Sequence, residues 1–382
     1  MNVLMVDQYG QPGGAQKCLL DLIAGWPRED ALMVAAPADG TLLRSVQAAG
    51  FITEAIPCGP YTGRGVSDAL RLYADARAQC RIVRSLIRRF GIDVVYVNGP
   101  RVLPAAALAA RGHCPLVYHA WNLLQRRTDR ALIRLALGSC RSAVIACCAY
   151  SAGKLPATVI LNGVPDAGFR QRRYPPKVPW RLGVVGRISP EKGHLVLMDA
   201  IRLLVAEGHR IALTVAGAPL FSSTEYEAQV RRRAEGLDVR FAGWIDDIEP
   251  FLAEVDLSVV PSIAEPGPTR VIPEAFSAGV PVVALPTGGI PEVIRDERNG
   301  FLAAGVGARD LATALRRALL APPAELTAIT RRARGEWESY WNVDRWRREV
   351  VAAIRAAAIP KPARDSFDVS VAASGNRPAP SA

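Results

Sequence analysis

Short apolar runs ending in polar or glycine-rich turns recur along this chain, and stretches of helical spacing separate them. Residues 3–6 (Val-Leu-Met-Val) are apolar throughout and run into Asp7-Gln8-Tyr9-Gly10-Gln11-Pro12-Gly13-Gly14. A run without alternation reads as a strand covered on both faces. Leu19, Leu20, Leu22 and Ile23 then supply the apolar face of a helix. Further strands are predicted at 31–35, 92–97, 115–119, 143–147 and 157–161, with a helix over 67–90 whose outer face is basic. A second series starts at residue 181, with strands predicted near 181–185, 211–216, 238–241, 256–260 and 281–284. Strands alternating with helices build βαβ units and therefore a parallel sheet.

Between the two series lies a stretch with Pro175, Pro176 and Pro179 among Arg170, Arg172, Arg173 and Lys177, the composition of a linker. The expected organisation is an amino-terminal Rossmann-like domain over 1–168, a linker over 169–180 and a carboxy-terminal Rossmann-like domain over 181–340. Residues 307–356 read as helical, ending in an amphipathic segment around Trp341, Trp346, Val350 and Val351, assigned to 341–358. Residues 359–382 carry too little apolar surface to pack and are expected to be disordered. A length of 382 residues suits two cores rather than one. Two parallel sheets joined by a short linker leave a cleft that the carboxyl ends of both sets of strands can line.

The composition, 50% hydrophobic and 22% charged, is that of an ordinary globular protein. The net charge of +11 favours a phosphate-bearing ligand, nucleic acid or an anionic membrane. No nucleic-acid-binding motif accompanies that charge, so nucleic acid is set aside. The stretch 126–137 sets arginines among apolar residues at helical spacing, compatible with an anionic membrane surface or with an ordinary exposed helix. Seven cysteines without a CxxC pair fit reduced thiols. The first residues lack a signal-peptide pattern, and no stretch reaches the ~18–20 apolar residues of a membrane span. The expected location is the cytoplasm, free or peripheral on the cytoplasmic face of a membrane.

Candidate chemistry concentrates between 181 and 302. The strand ending at Val185 runs into Gly186, Arg187 and, five residues after Arg187, Lys192 and Gly193. A guanidinium and an ammonium at a strand-to-helix turn suit the two phosphates of a diphosphate, although solvated loop cations are the usual fate of such residues. Glu274 follows Pro273 at the start of an apolar helical stretch and could accept from a ribose diol or simply complement the helix dipole. Glu265, in the loop before it, suits the hydroxyls of a sugar. The glycine pairs Gly13-Gly14 and Gly288-Gly289 can expose N–H groups to anionic oxygens or merely form turns. His119 closes an apolar strand where cleft ligands bind. Asp246-Asp247 reads as a helix cap rather than a metal pair. Neither G-x-G-x-x-G nor a P-loop is present, and no His/Asp/Glu cluster implies a required metal or other cofactor. Together these residues point to a nucleotide-sugar site.

These motifs resemble those of the retaining GT-B glycosyltransferases of the family 4 type, also called glycosyl transferases group 1. The likeness runs over about residues 1–355 and is most specific from 181 to 302. Gly13-Gly14-Ala15-Gln16 resembles the family's amino-terminal glycine loop facing the donor phosphates, and His119 its active-site histidine. Asn162-Gly163-Val164 resembles the turn before the linker, and Gly186-Arg187 with Glu191-Lys192-Gly193 the diphosphate loop. Glu274 resembles the ribose-binding glutamate, with Gly288-Gly289 and Glu292 in the loop that follows. The family separates its two glutamates by seven residues, whereas eight lie between Glu265 and Glu274, so alignment on Glu274 puts Pro266 where the first glutamate belongs.

The resemblance implies a GT-B fold with the final helix packed back on the first domain. It also implies transfer of a sugar from a nucleoside diphosphate sugar to a carbohydrate or lipid-linked saccharide acceptor, in cell-surface polysaccharide or glycolipid assembly. Arg187 and Lys192 would stabilise the departing diphosphate, Glu274 the ribose, and His119 the sugar, with no metal. The rival readings are a nucleotide-sugar epimerase on the same fold and a non-catalytic nucleotide-sugar-binding scaffold.

Overall fold

A computed structural model describes residues 1–11, 13–59, 66–174, 178–219, 224–265, 267 and 269–358. The segment 359–382 expected to be disordered, residues 175–177 of the linker, and Pro266 lie outside the described residues.

The first sheet contains β1 (Asn2–Asp7), β2 (Ala31–Ala36), β3 (Ile52–Ala55), β4 (Val94–Asn98), β5 (Leu116–Ala120), β6 (Ser142–Ala146) and β7 (Thr158–Val159). It is wholly parallel, in the order β3-β2-β1-β4-β5-β6-β7. Its helices are α1 (Gly14–Ala24), α2 (Leu42–Ala48), α3 (Val66–Phe90), α4 (Leu103–Ala110), α5 (Arg127–Gly138) and α6 (Ala149–Ala152). The second sheet contains β8 (Trp180–Val185), β9 (Ile211–Ala216), β10 (Val239–Gly243), β11 (Leu257–Val260), β12 (Val282–Ala284) and β13 (Phe301–Leu302). It too is parallel, in the order β10-β9-β8-β11-β12-β13. Its helices are α7 (His194–Ala206), α8 (Thr224–Ala234), α9 (Glu249–Glu254), α10 (Val271–Ala278), α11 (Ile290–Val293), α12 (Ala308–Leu320) and α13 (Pro323–Glu336), and α14 (Val343–Ala358) closes the chain. Both sheets thus repeat one plan, in which the strand order reverses beside the first strand. That reversal opens a crevice at the carboxyl ends of β1 and β4, and of β8 and β11.

Alternation along β1 sorts its side chains. Leu4 and Val6 face a core with α3, α4 and α5, while Val3 and Met5 face a core with α1, α2 and α14. Cover on both faces explains why these strands read as unbroken apolar runs. Two strands were not predicted. β3 is a largely exposed edge and β13 only two residues long, so neither leaves a clear apolar signature.

The amphipathic final segment becomes α14, which packs on the first domain. Trp346, Val350 and Ile354 are buried against Leu22, Val34 and Tyr96, and Arg355 pairs with Glu29 and Asp30. A π-helical turn, Trp337–Trp341, carries the chain back across. Gly163 permits the crossing, since a Cβ there would lie 2.6 Å from both Asn342 O and Trp346 Cβ. Among the described residues no helix is long and apolar enough to cross a membrane.

Candidate functional site

The two crevices face each other across one cavity of about 370 Å³, within the range of small-molecule sites. From the first domain the cavity receives Gly13, Gly14 and Lys17 at the start of α1, Asn98 at the end of β4, and Trp121 after β5. From the second it receives Gly186, Arg187, Lys192, Glu265, Arg270 and Glu274. Six of the predicted site residues therefore line one cavity: Gly13 and Gly14 from the first domain, and Arg187, Lys192, Glu265 and Glu274 from the second.

Helix α1 opens on this space with no side-chain cap and no acidic residue in its first turn. Its leading N–H groups and the positive end of its dipole remain available to an anion. Opposite it, β8 ends at Val185, just before Gly186, and the turn to α7 is set by Gly193. That residue has φ +70°, and a Cβ there would sit 1.9 Å from Pro261 O at the end of β11. Only glycine fits both conditions, and the tight turn holds Lys192 over the cavity.

Both candidate phosphate ligands are engaged with carboxylates. Arg187 Nη2 lies 3.0 Å from Glu191 Oε1, and Lys192 Nζ lies 2.6 Å from Glu265 Oε2. Glu265 lines the same cavity as Glu274. Helix α10 begins at Val271, three residues before Glu274, because Pro273 in a first turn forfeits no helical hydrogen bond. Glu274 consequently makes no cap. Its Oε1 accepts from Arg270 Nε at 3.1 Å.

Arg270 was not among the residues singled out from the sequence. Its Nη1 donates to Asp21 Oδ2 of α1 at 2.7 Å, and it also meets the Cys18 sulfur at 3.2 Å. One guanidinium thereby ties a carboxylate of each domain together. Burial pushes the Cys18 thiol up to about 11, so the sulfur is a thiol and the pairing partners of Arg270 are the two carboxylates. The available signal was spacing alone, since Arg270 precedes Glu274 by one helical turn.

His119 is placed differently from expectation. It is fully buried and does not line the cavity, because Trp121 stacks on it with ring centroids 3.9 Å apart and covers it. Its Nδ1 bonds the Tyr96 hydroxyl, its Nε2 has no partner, and burial depresses its pKa to about 3, so the ring is neutral at pH 7. Trp121 Nε1 donates to Asn98 Oδ1 at 2.6 Å, and Asn98 Nδ2 donates to Asp7. Asp7 also accepts from Gln16 Nε2 at 2.9 Å and Tyr9 N at 2.8 Å. This buried polar chain at the ends of β1, β4 and β5 was legible only as polar residues closing apolar runs.

Gly288 and Gly289 also stand off the cavity wall. Gly288 has φ +57°, and a Cβ on it would come 1.9 Å from Glu265 O, so it serves as a close-packed buttress behind that residue. Glu292 reaches the other domain, its carboxylate accepting from Ala149 N at 2.8 Å and Tyr150 N at 2.6 Å. Asp247, one residue before the N-cap Ile248 of α9, accepts from Glu249 N through Oδ1, while Asp246 O accepts from Lys17 Nζ across the cleft. Among the described residues no group of three His, Cys, Asp or Glu side chains could hold a metal ion.

Comparison with known proteins agrees with this layout. Residues 12–166 match the model of Glycosyltransferase Family 4, and residues 179–320 that of Glycosyl transferases group 1. A lipopolysaccharide 1,2-N-acetylglucosaminetransferase of Salmonella typhimurium is 36% identical over 172 residues, 40% of this chain and 45% of that protein. A D-inositol 3-phosphate glycosyltransferase of Geodermatophilus obscurus is 34% identical over 186 residues, 46% of this chain and 40% of that protein. The aligned segments thus span less than half of either relative. The crystal structure of Anabaena HepE in complex with UDP-glucose superposes with a TM-score of 0.78 at 24% identity, covering 93% of this chain and all of that one. That likeness is one of fold, GT-B.

Proposed function

The chain belongs to the group 1, family 4 glycosyltransferases, and we propose that it moves a sugar from a nucleoside diphosphate sugar to an acceptor hydroxyl with retention of anomeric configuration. The observation that carries this reading is the pairing of Arg187, Lys192, Glu265 and Glu274 on one wall with the uncapped start of α1 opposite. A diphosphate bound between them would meet two cations and a helix N-terminus, which stabilise charge as it develops on the departing group. The incoming phosphates would take Lys192 from Glu265, freeing that carboxylate for sugar hydroxyls. Arg270 occupies one oxygen of Glu274 and leaves Oε2 for the ribose. A sugar hydroxyl would supply the partner that His119 Nε2 lacks, once Trp121 yields. Two side-chain cations at the diphosphate make a metal unnecessary in this mechanism.

The Salmonella relative acts on lipopolysaccharide, which supports a saccharide acceptor in cell-surface polysaccharide or glycolipid assembly. The scaffold alternative drew on a displaced Glu265, and Glu265 stands on the cavity wall beside Lys192.

The test is a thermal-shift panel of UDP, GDP, ADP and their sugar conjugates, with and without EDTA. A ligand that binds only the folded state stabilises it by about 2.7 kcal/mol at a hundredfold excess over its Kd. The expected result is a rise with one base, unchanged by EDTA and abolished in Arg187→Ala/Lys192→Ala. No rise with any of them at millimolar concentration would refute the donor site.

A further inference from the structure

The outer face of α3, α4 and α5 takes no part in the cavity chemistry, and its charge is lopsided. The three helices form one layer over the first sheet, burying Leu86 and Ile87, Leu103 and Ala107, and Ile133 and Leu137 beneath them. They carry nine arginines against three carboxylates, and so hold six of the chain's eleven net positive charges. On other helices arginines are neutralised locally, Arg231 by Glu227, Arg345 by Glu349 and Arg355 by Glu29 and Asp30. Among the described residues no arginine of α3 or α5 forms an ion pair. Arg84 instead donates to Leu108 O and Arg130 to Leu124 O, contacts that order the guanidinium without cancelling its charge.

Between α3 and α4 these side chains line a groove of about 880 Å³, with Arg77, Arg81 and Arg88 on one wall and Leu108 on the other. Large apolar side chains stand out on the same layer. Tyr73 is 62% exposed, Leu108 49% and Leu135 72%, with Leu70 and Leu132 beside them. Single exposed leucines are common, but a layer of them interleaved with unneutralised arginines has the chemistry of a bilayer interface.

We infer that this face docks the protein on an anionic phospholipid surface. Charge complementarity selects the occupant. A guanidinium fork matches phosphate oxygens in two-pronged fashion, leucines enter below the headgroups, and a second copy of the same face would be repelled. Helices α3 and α5 follow β3 and β5, so their first turns lie at the carboxyl end of the sheet, where the cavity opens. A bilayer under this layer lies beside the entrance and would present acceptors anchored in it.

Flotation of the full-length chain with vesicles of phosphatidylcholine, with and without phosphatidylglycerol, tests this. Binding is expected only with phosphatidylglycerol, weakened by salt. It should fall roughly tenfold or more in Arg77→Glu/Arg81→Glu/Arg88→Glu. Arg210→Glu/Arg309→Glu/Arg348→Glu, the same charge change at exposed arginines elsewhere, should bind as the wild type does. Leu132→Ser/Leu135→Ser, which keeps every charge, should bind more weakly, so the inference stays testable if the first triple variant fails to fold. Equal loss in both triple variants, failure to float with phosphatidylglycerol, or retention on nucleic acid without flotation would each overturn the docking face.

Discussion

At the scale of single residues, the buried charges are the informative ones. Arg270 lies between Asp21 and Glu274 with its side chain only 12% exposed. Its loss would strand two carboxylates away from water. We expect Arg270→Ala to lower unfolding free energy by about 3–5 kcal/mol, read by urea denaturation, with Arg270→Lys recovering part of it. A change below about 0.5 kcal/mol would mean that solvent already screens the triad. Asp7 offers a pH test, because burial outweighs its hydrogen-bond donors and lifts the carboxyl to about 6. A carboxyl that holds its proton more tightly when folded than when unfolded makes stability fall as pH rises from about 4 to 6. Carbon NMR of the Asp7 carboxyl should show a midpoint near that raised value, and an ordinary carboxylate midpoint would show that the donors from Asn98, Gln16 and Tyr9 win. His119 works in the opposite direction. Its pKa near 3 means that its contribution is present at neutral pH and lost as pH falls below that of a free histidine.

At the scale of elements, two glycines that look alike in sequence differ in what holds them. Gly193 combines φ +70° with a backbone oxygen 1.9 Å from any added Cβ, whereas Gly14 has open space around that position within a helix. Gly193→Ala should therefore cost more than about 1 kcal/mol and displace Lys192, while Gly14→Ala should leave stability within about 1 kcal/mol of wild type. Thermal melts of the two variants separate these outcomes, and equal melting temperatures would refute the distinction. A nucleotide shift lost in a stable Gly14→Ala protein would report how closely an anion approaches the start of α1. The same contrast explains which elements were visible in the sequence. β1 and β8, packed between helix layers, announce themselves as apolar runs, while β3 at an exposed edge does not.

At the scale of the whole molecule, the domains are held face to face by a few polar contacts around the cavity. Arg270 meets Asp21, Lys17 reaches Asp246 O, and Glu292 accepts two N–H groups at the start of α6. Glu292 does not line the cavity, and its carboxylate holds the start of α6. We expect Glu292→Ala to leave nucleotide affinity within about twofold while lowering kcat about tenfold and enlarging the radius of gyration in small-angle scattering. An unchanged radius with an unchanged kcat would show that closure does not depend on that contact.

The sequence by itself determined the two-sheet plan and the candidate residues that follow Val185 and precede Gly279. Each of these is local, because strand burial on two faces and turn glycines both write their signature into neighbouring residues. Arg187, Lys192, Glu265 and Glu274 were legible for that reason, and all four share a wall. Only the tertiary structure decided the rest. It put His119 beneath Trp121, set Gly288 behind Glu265, and gave Arg270 a partner in α1 some 249 residues away. Such relations arise where two domains meet, and no pattern of nearby residues encodes which side chain will face which across a cleft.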